Sequence, residues 1–160
     1  MTTETTTETT TEMTPMPQPT AYLSFDGNCA EAMRFYEQAL SGKLQALMTN
    51  GQSPMAAHIP SEHHHRILHG YLVLPEGAGA LMAGDCMAGV PYEGMKGFSL
   101  TLNYDTTARA ESVFKALSDG ATVTMPMQPA FWAKSWGMLT DRFGTPWIVN
   151  GELIPLPTVV

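Results

Sequence analysis

The sequence predicts an α+β fold made of two βαβββ modules, and three features of the chain carry this prediction. Apolar residues recur at positions i, i+3, i+4 and i+7 in two segments that lie 78 positions apart. A short apolar run precedes each segment, and a glycine follows each at the same distance, as at the end of a helix. We therefore expect a curved, mostly antiparallel sheet with the two helices on its outside. The two stripes are Ala32, Phe35, Tyr36 and Ala39, ended by Gly42, and Ala110, Val113, Phe114 and Leu117, ended by Gly120.

In the first module, residues 22–25 are the apolar run that predicts the opening strand. Asn28 followed by Glu31 is typical of a helix N-cap with an acid at the third helical position, and the helix is predicted to run to about Leu40. Residues 43–48, 66–74 and 80–83 are predicted strands. Residues 50–62, rich in Gly, Pro and Ser, are a predicted loop.

The second module repeats this order. Residues 98–104 alternate apolar and small polar side chains, which predicts a strand with its apolar face toward the helix. The helix is predicted from about Thr107 to Leu117, and further strands at 122–127, 136–140 and 146–149. Asp141 and Gly144 occupy the first and last positions of a predicted turn between the last two strands.

These elements set the predicted domain organisation. A Thr/Glu-rich tail over 1–20 has too few apolar residues to fold, and we expect it to be disordered, without the features of a signal peptide. One domain follows over 21–152, with module one at 21–84, a link at 85–96 and module two at 97–152. Residues 153–160 form a C-terminal tail.

Composition excludes several classes of protein. The net charge of −7 leaves no basic stripe, so we expect no nucleic-acid partner. No apolar stretch reaches the roughly 18–20 residues needed to cross a bilayer, so we expect no membrane partner. Cys29 and Cys86 are the only cysteines, which favours reduced thiols in the cytoplasm over a disulfide framework.

Several side chains are candidates for chemistry. Adjacent His63, His64 and His65 suit a transition metal, although a solvated polar loop is the stronger interpretation of that run. His69 lies in a predicted strand on one face with Ile67, Tyr71 and Val73, where it serves as a hydrogen-bonding group or general base, or packs structurally. Cys29 falls in the first turn of a helix without a nearby base, so a structural role is favoured.

Aromatic residues are dense near the C-terminus. Phe131, Trp132 and Trp136 occupy a segment predicted to be partly irregular, which suits the mouth of a ligand cleft. Packing in the core or at a dimer interface is the alternative, and Trp147 in the last strand is predicted to be a core residue.

The sequence resembles the PhnB-like branch of the vicinal oxygen chelate superfamily, which includes glyoxalases, bleomycin-resistance proteins and dioxygenases. The resemblance spans about 21–152. Its motifs are Tyr22–Cys29 with Ala32, Phe35 and Tyr36; His69; Phe98-Ser99-Leu100; Met125-Pro126; Phe131-Trp132; and the Gly137–Gly144 run with Pro146-Trp147. The resemblance implies the paired βαβββ fold, a homodimer and a small-molecule ligand. The chain departs from its relatives at Pro129-Ala130.

Enzymes of that superfamily hold a divalent metal with His, Gln or Glu ligands. Carried onto this chain, the ligand positions fall near Ala21, Gly84, Ser99 and Ile148, none of which is a good ligand. A shift of one or two residues adds only Asp85, Asn150 and Glu152. We therefore expect no metal and no other cofactor.

The predicted function is a metal-free, dimeric small-molecule-binding protein. Its cleft between modules would be lined by seven residues: His69, Tyr71, Ser99, Thr101, Phe131, Trp132 and Trp136. One alternative is a lyase, isomerase or dioxygenase with a metal held by His63–His65, Asp85 and Glu152. Another is a protein that sequesters a cationic aromatic antibiotic.

Overall fold

The computed structural model describes residues 17–158, so most of the predicted tail lies outside the described residues. Each module contains one 11-residue helix, α1 (Cys29–Ala39) or α2 (Thr107–Leu117). None of the helices in this described part is long and apolar enough to cross a membrane. The strands are β1 (Ala21–Phe25), β2 (Lys43–Thr49), β3 (Ile67–Val73), β4 (Ala80–Asp85), β5 (Leu100–Tyr104), β6 (Thr122–Gln128), β7 (Ala133–Thr140) and β8 (Pro146–Leu153).

The predicted α+β fold of two βαβββ modules is confirmed. Each module forms its own four-stranded mixed sheet, with strand order β1-β4-β3-β2 in one and β5-β8-β7-β6 in the other. The first strand of each module is parallel to the last, and the other pairs are antiparallel. The repeated topology explains the repeated sequence pattern, since each helix must cover the same face of an equivalent sheet.

Both helices bury their predicted apolar stripe. Tyr36 and Ala32 of α1 are fully buried, as are Ala110 and Leu117 of α2, whereas Phe35 is half-buried beside them. The stripes of the two modules join in one core that also takes up Trp147, as predicted.

A buried polar cluster connects the modules. The Tyr36 hydroxyl donates to Asp141 Oδ2 at 2.7 Å and shares a second hydrogen bond with the Thr145 hydroxyl at 2.7 Å. Asp141 also accepts the indole N–H of Trp147 and the backbone N–H groups of Phe143 and Thr145. The predicted turn is confirmed by the Gly144 N–H bonded to the Asp141 carbonyl. The Asp-x-Phe-Gly-x-x-Trp motif is therefore the part of module two that binds α1 through hydrogen bonds to Tyr36.

Carboxylates from the last strand of each module cap the helices. Asn28 is the N-cap residue of α1, as predicted, but its side chain makes no capping hydrogen bond. Asp85 Oδ1 instead accepts the N–H groups of Gly27 and Cys29, at 2.8 and 3.1 Å. Glu152 Oε2 accepts from the backbone N–H and hydroxyl of Thr107 at the start of α2. A negative charge at a helix N-terminus stabilises the helix dipole.

Candidate functional site

Each sheet has one side packed against its helix and one side turned away, which we call its open face. Leu23 and Phe25 of β1 are buried in the core, so Tyr22 and Ser24 lie on the open face of module one. His69 and Tyr71 are half-buried on the same face. They belong to β3, which pairs with β4. Ile67 departs from the prediction, because it is buried in the core rather than sharing the face of His69.

Tyr22 reaches from the edge strand β1 to β3 on this open face. Its ring stacks on His69, with centroids 6.0 Å apart and planes 29° apart, and its hydroxyl donates to the Leu68 carbonyl at 3.3 Å. A Cβ atom at Gly84 would lie 2.8 Å from the Tyr22 hydroxyl oxygen. Tyr22 therefore fills the space that any side chain at position 84 would need. Partial burial raises the pKa of its phenol, with a smaller contribution from the Cys29 thiol.

The open face of module two carries the predicted aromatic residues. Trp136 lies in β7, which begins at Ala133 and not at Trp136 as predicted, while Phe131 and Trp132 lie just before that strand. The rings of Trp132 and Trp136 are 4.9 Å apart, and those of Phe131 and Trp132 are 4.7 Å apart. We call these three residues the aromatic patch. Phe131 is 76% exposed, which leaves one edge of the patch open to a ligand.

A chain of amides runs beside the aromatic patch. The Trp132 indole N–H donates to Asn150 Oδ1 at 3.3 Å, and Asn150 Nδ2 donates to Asn103 Oδ1 at 2.9 Å. Asn150 is buried, whereas Asn103 and Thr101 of β5 are exposed. Ser99 lies just before β5, because that strand begins at Leu100 and not at Phe98 as predicted. Burial and hydrogen bonds hold Trp132 in a fixed orientation, which a recognition surface requires.

A cavity of about 400 Å³ lies between the modules. Thr101 is the one predicted site residue on its wall, which is otherwise formed by Leu40, Leu74, Glu76, Asn103 and Arg109 among others. His69 and Tyr71 lie on one open face, and Trp132 and Trp136 on the other. The sequence missed Asn103, Asn150 and Arg109, although the position of Asn103 in the alternating strand was a usable signal.

The histidine run belongs to a structured loop. His64 Nε2 lies 3.0 and 2.8 Å from the carbonyl oxygens of Ala56 and Ile59, while the His63 ring lies 3.4 Å from Glu62. Three short 3-10 turns surround these residues. The His64 ring thus organises its own loop.

Cys29 is a buried thiol. Its desolvation, together with the Asp85 carboxylate, raises the pKa of Cys29 to about 12. A thiol with that pKa carries almost no thiolate at neutral pH, so Cys29 is not a nucleophile there. This agrees with the structural role that the sequence favoured.

Two βαβββ modules, each with a helix on one side of its sheet and an open face on the other, define the fold class of this protein. Comparison with known proteins identifies the class: the profile of the Glyoxalase/Bleomycin resistance protein/Dioxygenase superfamily matches residues 19–149. The chain belongs to this superfamily, as its sequence predicted.

The chain is also similar to individual proteins of known sequence or structure. Protein YjdN of Escherichia coli is 30% identical over 138 residues, covering 81% of this chain and 91% of YjdN. The crystal structure of PA1353 from Pseudomonas aeruginosa has a TM-score of 0.78 at 47% identity, covering 86% of this chain and 98% of PA1353. A PhnB protein from Bacillus cereus has a TM-score of 0.69 at 21% identity, covering 84% and 98% of the two chains. The likeness to this PhnB protein is one of fold.

The residues at the superfamily's metal positions do not fit a divalent ion. Of the predicted first-strand positions, Ala21 packs against the core and Ser99 lies before β5. The open face instead has Tyr22 against Gly84 in module one and Thr101 beside Ile148 in module two. Asp85 and Glu152 cap helices, and Asn150 bonds to two side chains. Within residues 17–158, no three His, Cys, Asp or Glu side chains converge as a metal site would require.

Proposed function

We propose that this protein binds a small organic molecule on its open faces without the superfamily's metal ion. The observation that carries the proposal is the pairing of Tyr22 with Gly84 where the metal ligands of one module would stand. Because the phenol fills the space above Gly84, a side chain that binds a metal cannot occupy that position without displacing it.

The ligand surface would combine residues of both open faces. Trp132 and Trp136 offer flat apolar contact, and Asn103 and Thr101 offer hydrogen bonds. From the other face, His69 and Tyr71 supply a titratable ring and a phenol. Phe131 and Ser99 complete the seven residues predicted from the sequence.

We further propose that a second copy of the chain brings the two kinds of open face together. Each open face carries exposed large side chains in this chain, including Tyr22 at 53% and Phe131 at 76%. Covering such surface with a second copy buries apolar area and encloses a ligand. The homodimer and a cytoplasmic location remain predictions, and sedimentation equilibrium checks the first.

Metal analysis tests the central proposal. We expect tag-free protein, purified and then dialysed against a metal mixture, to retain well under one divalent ion per chain. One tightly held ion per chain would contradict it. The variant Gly84→Glu with Tyr22→His, which restores ligand types at both positions, serves as the positive comparison in the same assay.

The enzymatic alternative requires His63–His65, Asp85 and Glu152 to share a metal. The structure assigns these groups to different tasks, since His64 orders its loop and the two carboxylates cap different helices. Loss of bound metal on changing His64 and His65 to Gln would favour that alternative.

The aromatic patch favours a second candidate function, the sequestration of a cationic aromatic compound. A cation placed over a Trp face gains about 0.5–2 kcal/mol, and Trp132 and Trp136 present two adjacent rings. Titration with proflavine, a planar cationic probe, is expected to quench tryptophan emission. Trp132→Ala should weaken binding, whereas Phe98→Leu, an exposed aromatic outside the patch, should not. Absence of quenching at micromolar probe would count against this function.

A further inference from the structure

The cavity between the modules has two chemically different walls. Module one contributes an apolar wall with Leu40 at the end of α1 and Leu74, Pro75 and Ala78 at the β3–β4 turn. Module two contributes a polar wall along β5 and the start of α2, including Asn103, Tyr104 and Arg109. Its volume, about 400 Å³, lies within the range of small-molecule sites. The aromatic patch does not line it.

Arg109 is the cation of this cavity and is held in place on one side. Its Nη1 donates to Asp105 at 3.1 Å, and its guanidinium carbon lies 5.6 Å from the centroid of the Tyr104 ring. The Asp105 carboxylate and the ring orient the guanidinium group toward the opening between the modules.

The third contact of Arg109 is the weak one. Its Nη2 lies 3.6 Å from Glu76 Oε2, across the cavity, and the Glu76 side chain is 74% exposed. An exposed ion pair of this length contributes little to stability. Glu76 also has φ of 57°, the left-handed region that a residue with a Cβ adopts only under strain. The Glu76 carboxylate is therefore a replaceable partner.

We propose that this cavity is a second ligand site, which takes a small molecule with an apolar body and a carboxylate group. The ligand carboxylate replaces Glu76 on Arg109, so the number of ion pairs is unchanged. The apolar body lies against Leu40 and Leu74, and Asn103 and Thr101 are available for hydrogen bonds. This site goes beyond the proposed function, because it shares Thr101 and Asn103 with the proposed open-face surface but uses neither the aromatic patch nor His69.

Octanoate is a suitable probe, with 1-octanol and octylamine as neutral and cationic matches. Isothermal titration calorimetry on the full chain is expected to show octanoate binding more tightly than either match. Arg109→Gln should weaken octanoate binding about tenfold or more, since a charge-assisted hydrogen bond is lost. Glu76→Gln should tighten it about threefold, because the competing carboxylate is removed. Lys115→Gln, which removes an exposed cation on the same helix, should leave it unchanged.

Three results would overturn the proposal. Octanoate binding that survives Arg109→Gln unchanged would show that the guanidinium group is not the receptor. Weakening by Glu76→Gln, with octylamine the tightest ligand, would show a cation site instead. Binding lost in Trp132→Ala but retained in Arg109→Gln would place octanoate on the open face. If Arg109→Gln folds poorly, the direction in which Glu76→Gln changes the affinity for octanoate still tests the proposal.

Discussion

Replacing Tyr36 with Phe isolates the contribution of the hydrogen bonds that join the modules. The ring is fully buried and the substitution keeps its shape, so packing against Trp147 and Phe143 is retained. What is lost is the hydrogen bond to the Asp141 carboxylate and the bond shared with Thr145. Burial and the Asp141 carboxylate raise the pKa of the Tyr36 phenol, so it stays a donor at every pH at which the protein is handled.

The expected cost follows from the partners that remain. A hydrogen bond to a charged group contributes about 1.5–3 kcal/mol. Asp141 keeps the Trp147 indole and two backbone N–H groups, so its charge is not left unpaired. We expect Tyr36→Phe to lower the free energy of unfolding by about 2 kcal/mol and Tm by about 4–8 °C.

Urea denaturation followed by circular dichroism measures this change as a lower midpoint with an unaltered slope. Tyr104→Phe is the control, because the Tyr104 hydroxyl makes no hydrogen bond to any residue of the described chain and its ring is also partly buried. An equal effect in both variants, or a loss below about 0.5 kcal/mol in Tyr36→Phe, would refute the reasoning.

Three further predictions concern the caps, the open face and the thiol. Asp85→Asn should lower the free energy of unfolding by about 2 kcal/mol, because an amide has one oxygen for the N–H groups of Gly27, Cys29 and Ile67. The control in urea denaturation is Asp119→Asn at an exposed position, and equal midpoints for the two variants would contradict the capping role. Gly84→Ala should destabilise the protein by about 1–3 kcal/mol through overpacking, since its Cβ would lie 2.8 Å from the Tyr22 hydroxyl and 2.9 Å from the Leu68 carbonyl. Adding Tyr22→Ala to the same chain should recover part of the loss. An unchanged free energy of unfolding in Gly84→Ala would show that the open face is not tightly packed there. Burial and Asp85 raise the pKa of Cys29 from 9.0 to about 12, so the unfolded thiol loses its proton first and the free energy of unfolding should fall as pH rises through that interval. The free energy of unfolding of Cys29→Ala should fall less steeply over the same pH range. Parallel pH profiles of the two proteins, measured by urea denaturation, would disprove the assignment.

The sequence predicted the elements well where the signal was local. The helical stripes through Tyr36 and Phe114 and the alternation of Leu100, Thr101 and Leu102 depend on neighbours within a few positions. The acceptor that caps α1 was missed because Asp85 lies 58 positions from Gly27. Asn28 merely has the right residue type in the right place.

The candidate site was less predictable because its parts come from distant segments. Trp132 is oriented by Asn150, 18 positions away, and Asn150 by Asn103, 47 positions away. A single sequence gives no sign of such pairs. The start of β7 was predicted three residues late, at Trp136 and not at Ala133, because the neighbouring Pro129 and aromatic residues obscured its alternation. The resemblance to the family predicted a ligand cleft between the modules. The cavity beside Arg109 combines residues of distant segments that no sequence pattern connects.

The hydrogen bond between Tyr36 and Asp141 makes each half of the chain depend on the other. A chain that ended after β4 would leave the Tyr36 hydroxyl without the acceptor that the second half provides. The second half alone would keep the three donors that it supplies to Asp141, but Trp147 would lose the Tyr36 ring that packs against it. Each half therefore gains by associating with the other, which supplies its missing partner.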